Sequence, residues 1–169
     1  MRWGLIPFWA KDESIGTRMI NARSESVAGK PAFRDALSKR RGLVVVDSYY
    51  EWRKNPRGPK TPFRMHRPDG EPFTLAALWE RWDRGGAPVE SCTVITTAAS
   101  ELMKAVHERM PVVLGEDAAE AWLDPHTTAA AAELLLAERS DDLAAEEVSR
   151  YVNSPANKGA LCWAIGDGN

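Results

Sequence analysis

The feature that most constrains this chain is a change of hydrophobic period near residue 98. Before it, apolar residues come in short β-branched or aromatic runs bounded by turn residues. Leu43-Val44-Val45-Val46 leads into Tyr49, Tyr50 and Trp52, the cluster Asn55-Pro56-Arg57-Gly58-Pro59 marks a turn, and Pro62 to His66 makes a second run. Residues 43–66 therefore predict a hairpin, which Pro68-Asp69-Gly70 ends. Phe73 to Trp82 and Val94-Ile95-Thr96-Thr97 supply two further strands. From Ala98 onward the spacing is helical: Leu102, Ala105 and Val106 share a face, and Thr97 or Ser100 can cap the opening amides. His107 then falls at the helix end, with Pro111 preventing continuation. Further helices are expected over 116–123 and 128–138, the first stopped by Pro125 and the second capped by Thr127 or Thr128. Strands first and helices later, without regular alternation, predict an α+β fold with a mainly antiparallel sheet.

A chain of 169 residues, 44% of them hydrophobic, suits a single domain spanning 1–169 with a sizeable core. No apolar stretch approaches the roughly 20 residues a membrane-spanning helix needs. The run after Arg2 meets Lys11, Asp12 and Glu13 without a small-residue cleavage site, so a cytoplasmic protein is expected. Cys92 and Cys162 are too few for a disulfide framework and read as reduced thiols. With His66, His107 and His126 scattered, they offer no metal-ligand spacing, and no Gly-rich loop suggests a phosphate cradle. Neither a metal nor a nucleotide cofactor is expected. The net charge of −2 conceals an uneven distribution: residues 1–70 hold 15 Lys and Arg against 7 Asp and Glu, the remainder 7 against 17. A basic first half would attract phosphates. Charges alternating around a solvated surface are the plainer alternative.

Three strings set a polar residue among apolar ones: INARSES at 20–26, SYYEW at 48–52 and HERMP at 107–111. Asn21 follows Met19-Ile20, where an unpaired amide would lose about 1–3 kcal/mol on burial, so it is expected to have partners. A local turn bond is the simpler role for an isolated Asn. Glu51, between Tyr50 and Trp52, occupies an apolar setting that would raise its carboxyl pKa and suit it to proton transfer near neutral pH. The alternative is a solvent-facing residue of an alternating strand. His107 carries an imidazole that titrates close to physiological pH, or else is a helix-end packing residue. Of seven tryptophans, Trp3, Trp52, Trp79 and Trp82 are assigned to packing.

Together with WGLIPFWAKD at 3–12 and VNSPANKG at 152–159, these strings resemble the SRAP family, the SOS response-associated peptidases, which capture abasic sites in single-stranded DNA. The resemblance implies a β-rich, barrel-like core with peripheral helices, here incomplete at its amino-terminal end. It makes Glu51 an acid–base residue, His107 the group assisting the opening of the abasic deoxyribose ring, and Asn21 a residue that holds the reactive amino-terminal cysteine. Arg23, Arg109 and Thr96 become contacts to the DNA backbone. Trp9 becomes a surface for bases beside the lesion, where stacking is worth about 1–3 kcal/mol per base. The implied partner is single-stranded DNA with abasic sites, engaged at the nucleoid and not at a membrane.

Family chemistry is covalent. A cysteine exposed after loss of the initiator Met attacks the abasic aldehyde through both thiol and α-amine, closing a thiazolidine. Family members begin Met-Cys-Gly-Arg, whereas this chain begins Met1-Arg2-Trp3 and lacks the Asn-Val-Ala-Pro motif that precedes the tryptophan block in relatives. Neither Cys92 nor Cys162 can supply a free α-amine, so the chain as written is expected not to form the ring. Either it starts at an internal methionine of a longer natural chain, which retention of Asn21, Glu51 and His107 favours, or it is a short homologue that binds without crosslinking. The implied function is a DNA-damage-response protein binding abasic single strands. A non-catalytic single-strand-binding module and a small thiol-dependent peptidase are the alternatives.

Overall fold

The computed structural model describes residues 1–140 and 142–165, and the chain divides into two compact units, each assembled from separated stretches. Unit 1 comprises Met1–Val45, Thr74–Thr97 and Pro111–Ser140; unit 2 takes Val46–Phe73, Ala98–Met110 and the residues beyond 140. The chain begins in unit 1 with β1 (Arg2–Trp3), β2 (Asn21–Arg23), α1 (Arg34–Lys39) and β3 (Arg41–Val46). It enters unit 2 for β4 (Ser48–Arg53) and β5 (Thr61–His66), then returns for β6 (Phe73–Trp82) and β7 (Val89–Ala98). A second excursion makes α2 (Glu101–Lys104) and reaches β8 (Arg109–Pro111). Unit 1 is completed by β9 (Val113–Leu114), α3 (Glu116–Leu123) and α4 (Ala129–Leu135), and unit 2 by β10 (Ala144–Glu147).

The larger sheet has seven strands in the order β1-β7-β6-β3, with β2 and β8 on β7 and β9 on β6. Its centre is the antiparallel β6–β7 pair, in register from Ala77 opposite Val94 to Trp82 opposite Val89. Leu75, Ala76, Ala77 and Leu78 are buried in succession, as expected of a strand covered on both faces. Leu78 and Ile95 share one core with Leu37 of α1, Trp122 of α3 and Ala132 of α4. Arg41 ties the helices to β3: its guanidinium donates to the carbonyls of Leu37 at 2.8 Å, Trp122 at 2.6 Å and Asp124 at 2.7 Å, groups left open at two helix ends. Arg40 pairs at 2.6 Å with Glu80, whose side chain is almost fully buried. After β1 the backbone passes so close to residue 16 that a Cβ on Gly4 would lie 2.5 Å from the Gly16 carbonyl oxygen, and Gly4 has φ +115°. Only glycine fits there.

Unit 2 is built on a three-stranded antiparallel sheet, β10-β5-β4. Tyr49 lies opposite Met65 and Glu51 opposite Phe63, while Tyr50 faces Arg64 and Trp52 faces Pro62. Side-chain alternation therefore puts Tyr49, Glu51 and Arg53 on one face and Tyr50, Trp52 and Arg64 on the other. The second face carries the segment after Ser149: Tyr50 donates to the Cys162 carbonyl at 3.3 Å, Trp52 Nε1 to Asn153 at 2.7 Å, and Arg64 lies 4.6 Å over the Trp163 ring. On the first face Tyr49 meets Phe73 edge-on at 6.3 Å, and Arg53 covers Phe63 at 4.7 Å.

The α+β class and the mainly antiparallel pairing agree with the sequence. In place of a barrel-like core, the described residues form two sheets and no closed barrel, and β1 and β2 both run parallel to β7. The expected hairpin is real only from Ser48, because residues 41–46 join β6's sheet instead, starting from the Arg40 carbonyl that accepts the Trp79 amide at 2.9 Å. The helix expected after Ala98 lasts one turn. Ser100 caps it, Met103 is its buried residue and Leu102 is exposed, so the face inferred from Leu102, Ala105 and Val106 does not form. α3 occupies the expected 116–123, whereas α4 ends at Leu135 after its Thr128 cap. Trp82 is buried as assigned, but Trp3 is 61% exposed: a two-residue edge strand covers only its Nε1, which donates to the Ile20 carbonyl. Both cysteines are unpaired thiols; Cys162 is buried and Cys92 half-buried, with burial pushing its thiol pKa up.

Candidate active site

In unit 2, β4 carries Glu51 and the turn after α2 carries His107. The His107 amide donates to the Met103 carbonyl at 2.9 Å, continuing the helical turn by one bond, and the chain then straightens into β8. This brings His107 Nδ1 to 4.0 Å from Glu51 Oε1. Nδ1 also lies 3.1 Å from both the amide nitrogen and the carbonyl oxygen of Arg109. A bare Nδ1 accepts from the amide, and a protonated one donates to the carbonyl, so the ring keeps a backbone partner in either state. With Nδ1 accepting, the neutral ring carries its proton on Nε2.

Burial raises the Glu51 carboxyl pKa above its ordinary value, while the charge of His107, the backbone bond to Trp52 and the charge of Lys60 pull it back. The net direction is upward, as expected, although Tyr50 and Trp52 lie on the opposite strand face and the face Glu51 occupies is shared with Tyr49 and Phe63. Tyr49, on the same strand face, is a neighbour that the motif reading passed over. Burial, and next the Glu51 charge, hold its phenol far above the usual range, and among the described residues its hydroxyl finds no hydrogen-bond partner. The signal was available in SYYEW, since residues two apart on a strand share a face. Lys60 was likewise passed over, because only the β4–β5 pairing returns it toward Glu51.

Unit 1 brings together Asn21, Arg23 and Thr96. β2 lies parallel to β7, with Asn21 opposite Val94 and Arg23 opposite Thr96. Ala22 points inward and is buried, leaving Asn21 and Arg23 exposed on either side of it. The burial that made partners necessary for Asn21 is absent, because a three-residue strand buries only its middle. Thr96 is buried, and its hydroxyl donates to the Ala22 carbonyl at 3.4 Å. Trp9, also in unit 1, is 40% exposed and is fixed by a bond from Nε1 to the Pro31 carbonyl at 3.4 Å. Its ring is thus oriented yet open to solvent. Arg109 belongs with His107 in unit 2, so the seven residues singled out by sequence divide as Trp9, Asn21, Arg23 and Thr96 in one unit and Glu51, His107 and Arg109 in the other.

Among the described residues no group of three His, Cys, Asp or Glu could hold a metal ion, and no helix is long and apolar enough to cross a membrane. What unit 2 does offer is a desolvated carboxyl beside an imidazole, two groups of a kind that can exchange protons with a bound molecule.

The chain is similar to abasic site processing proteins. It is 45% identical to YoaM of Bacillus subtilis over 163 residues, covering 95% of this chain and 72% of that protein. Against HMCES of Gallus gallus the identity is 30% over 187 residues, covering 96% of this chain and 55% of the relative. Among solved structures, a protein from Bacteroides thetaiotaomicron superposes with a TM-score of 0.86 at 28% identity, over 96% of this chain and 75% of that one. The family model for SOS response associated peptidase (SRAP) matches residues 1–155, so the chain belongs to that family.

Proposed function

We propose that this protein acts in the DNA-damage response by binding single-stranded DNA at abasic sites and moving protons on the exposed deoxyribose. The observation that carries the reading is the Glu51–His107 pair, 4.0 Å apart, with the carboxyl pKa raised by burial. An abasic sugar is a closed hemiacetal, and opening it requires one proton to leave the 1-hydroxyl as another reaches the ring oxygen. Glu51 as carboxylate takes the first, and His107 as imidazolium, its Nδ1–H held by the Arg109 carbonyl, gives the second from Nε2 and is left neutral as the bond from C1′ to the ring oxygen breaks. The aldehyde and a free 4′-hydroxyl result, and the balance is one proton in and one out. In unit 2 Arg109 serves a phosphate beside that pair; in unit 1 Arg23 and Thr96 serve phosphates, Trp9 stacks on a base, and Asn21 offers its amide next to them. Covalent capture needs a thiol and an α-amine on the same residue. Cys92 and Cys162 do not meet that requirement.

Two measurements test the reading. A native gel should show preference for an abasic single strand over the same strand undamaged, and an alkoxyamine probe, which reacts only with the open aldehyde, should be consumed faster with the protein present. Equal binding with no acceleration leaves a single-strand-binding module without chemistry. A denaturing gel reads out any covalent bond separately.

A further inference from the structure

The loop joining β4 to β5 has the sequence Lys54-Asn55-Pro56-Arg57-Gly58-Pro59-Lys60, with three cations and no carboxylate. All three cations are exposed, and among the described residues none has a carboxylate within salt-bridge distance. Arg53, at the end of β4, is by contrast matched to Glu147 at 3.7 Å. The loop is also pinned. Asn55 Nδ2 donates to the Pro59 carbonyl at 2.5 Å and to Thr61 Oγ1 at 3.0 Å, two prolines limit the backbone, and Gly58 takes φ +92° at the tip. A solubilising loop needs charge but not this restraint, which lowers the entropy lost when a ligand is held.

We infer that residues 54–60 form a phosphate clamp for the nucleic-acid strand beside the sugar held at Glu51 and His107. This rests on the function proposed above and extends it to residues outside the family motifs. Lys54 lies three residues beyond Glu51, about 10 Å at the ~3.3 Å rise of a strand. Lys60, at the other end of the loop, directly precedes β5, whose Thr61 and Phe63 pair with Arg53 and Glu51, and its charge acts on the Glu51 carboxyl.

The test is fluorescence anisotropy of the full chain with a single-stranded oligonucleotide carrying a tetrahydrofuran abasic analogue, across a salt series. The variant Lys54→Gln/Arg57→Gln/Lys60→Gln should flatten the slope of log affinity against log salt by about 2, at ~0.7 per phosphate on single strands. Arg57→Lys should leave the slope as it was, and the urea midpoint of each variant checks that it is folded. An unchanged slope in the folded triple variant overturns the clamp while leaving the proposed function standing. Absence of binding by the parent chain at low salt overturns both.

Discussion

Glu51 gives up hydration to lie beside His107, and the sign of its pKa shift sets how stability varies with pH. A carboxyl whose folded pKa lies above its unfolded value of 4.5 contributes stability that is fully present below pH 4.5 and is lost as pH rises through the raised folded value. Glu51→Gln removes that titration. Its stability relative to the parent, from urea unfolding, should therefore improve from pH 4 upward and level off once the parent carboxyl is ionised. The same substitution deletes a proton acceptor and should slow aldehyde unmasking by about 10²–10⁴-fold. A faster or equal rate would remove Glu51 from the chemistry. Gly4 is a second single-residue test: a side chain there meets the Gly16 carbonyl and must adopt φ +115°, so Gly4→Ala should cost at least ~1–3 kcal/mol, seen as a lower urea midpoint.

Between strands, the Arg40–Glu80 pair joins the residue before β3 to β6. Arg40→Leu strands a buried carboxylate and should destabilise by about 3–5 kcal/mol, while adding Glu80→Leu should restore much of the loss; chemical denaturation of the three proteins distinguishes these outcomes. Elements with strong local signals were legible in advance. β6 has both expected ends, α3 has the expected bounds, and the Pro- and Gly-rich cluster at 55–59 lies within the β4–β5 loop. β1, β2 and β9 are two or three residues long, too short for any period to show, and α1 contains only two buried residues, Ala36 and Leu37. The destination of β3 depended on pairing with β6, which no local pattern encodes. The site divides the same way. Tyr50 and Trp52, from which an apolar setting for Glu51 is expected, lie on the opposite strand face, and the face Glu51 shares with Tyr49 and Phe63, like its approach to His107, is made visible only by folding, while Asn21's exposure follows from the brevity of β2.

Across the whole molecule the uneven charge of the sequence is dispersed by the interleaved chain. Unit 1 holds 12 Lys and Arg against 13 Asp and Glu, and unit 2 holds 10 against 11, counted over all 169 residues. Neither unit is a basic body, so the proposed binding of DNA rests on local groups. Arg23, Arg109, Lys54, Arg57 and Lys60 together predict a salt slope of about −3 to −4 for single-stranded DNA at ~0.7 per phosphate, measured by anisotropy. A slope near zero would mean that these groups do not meet phosphates. The parallel pairing of β1 with β7, Arg2 opposite Ser91 and Trp3 opposite Cys92, also has a cost during synthesis. At about 5–20 residues per second, the ribosome needs several seconds to deliver the partner of the first strand. Through that interval the Trp3 indole and the open backbone of the nascent chain are available to chaperones, and to neighbouring nascent chains as well.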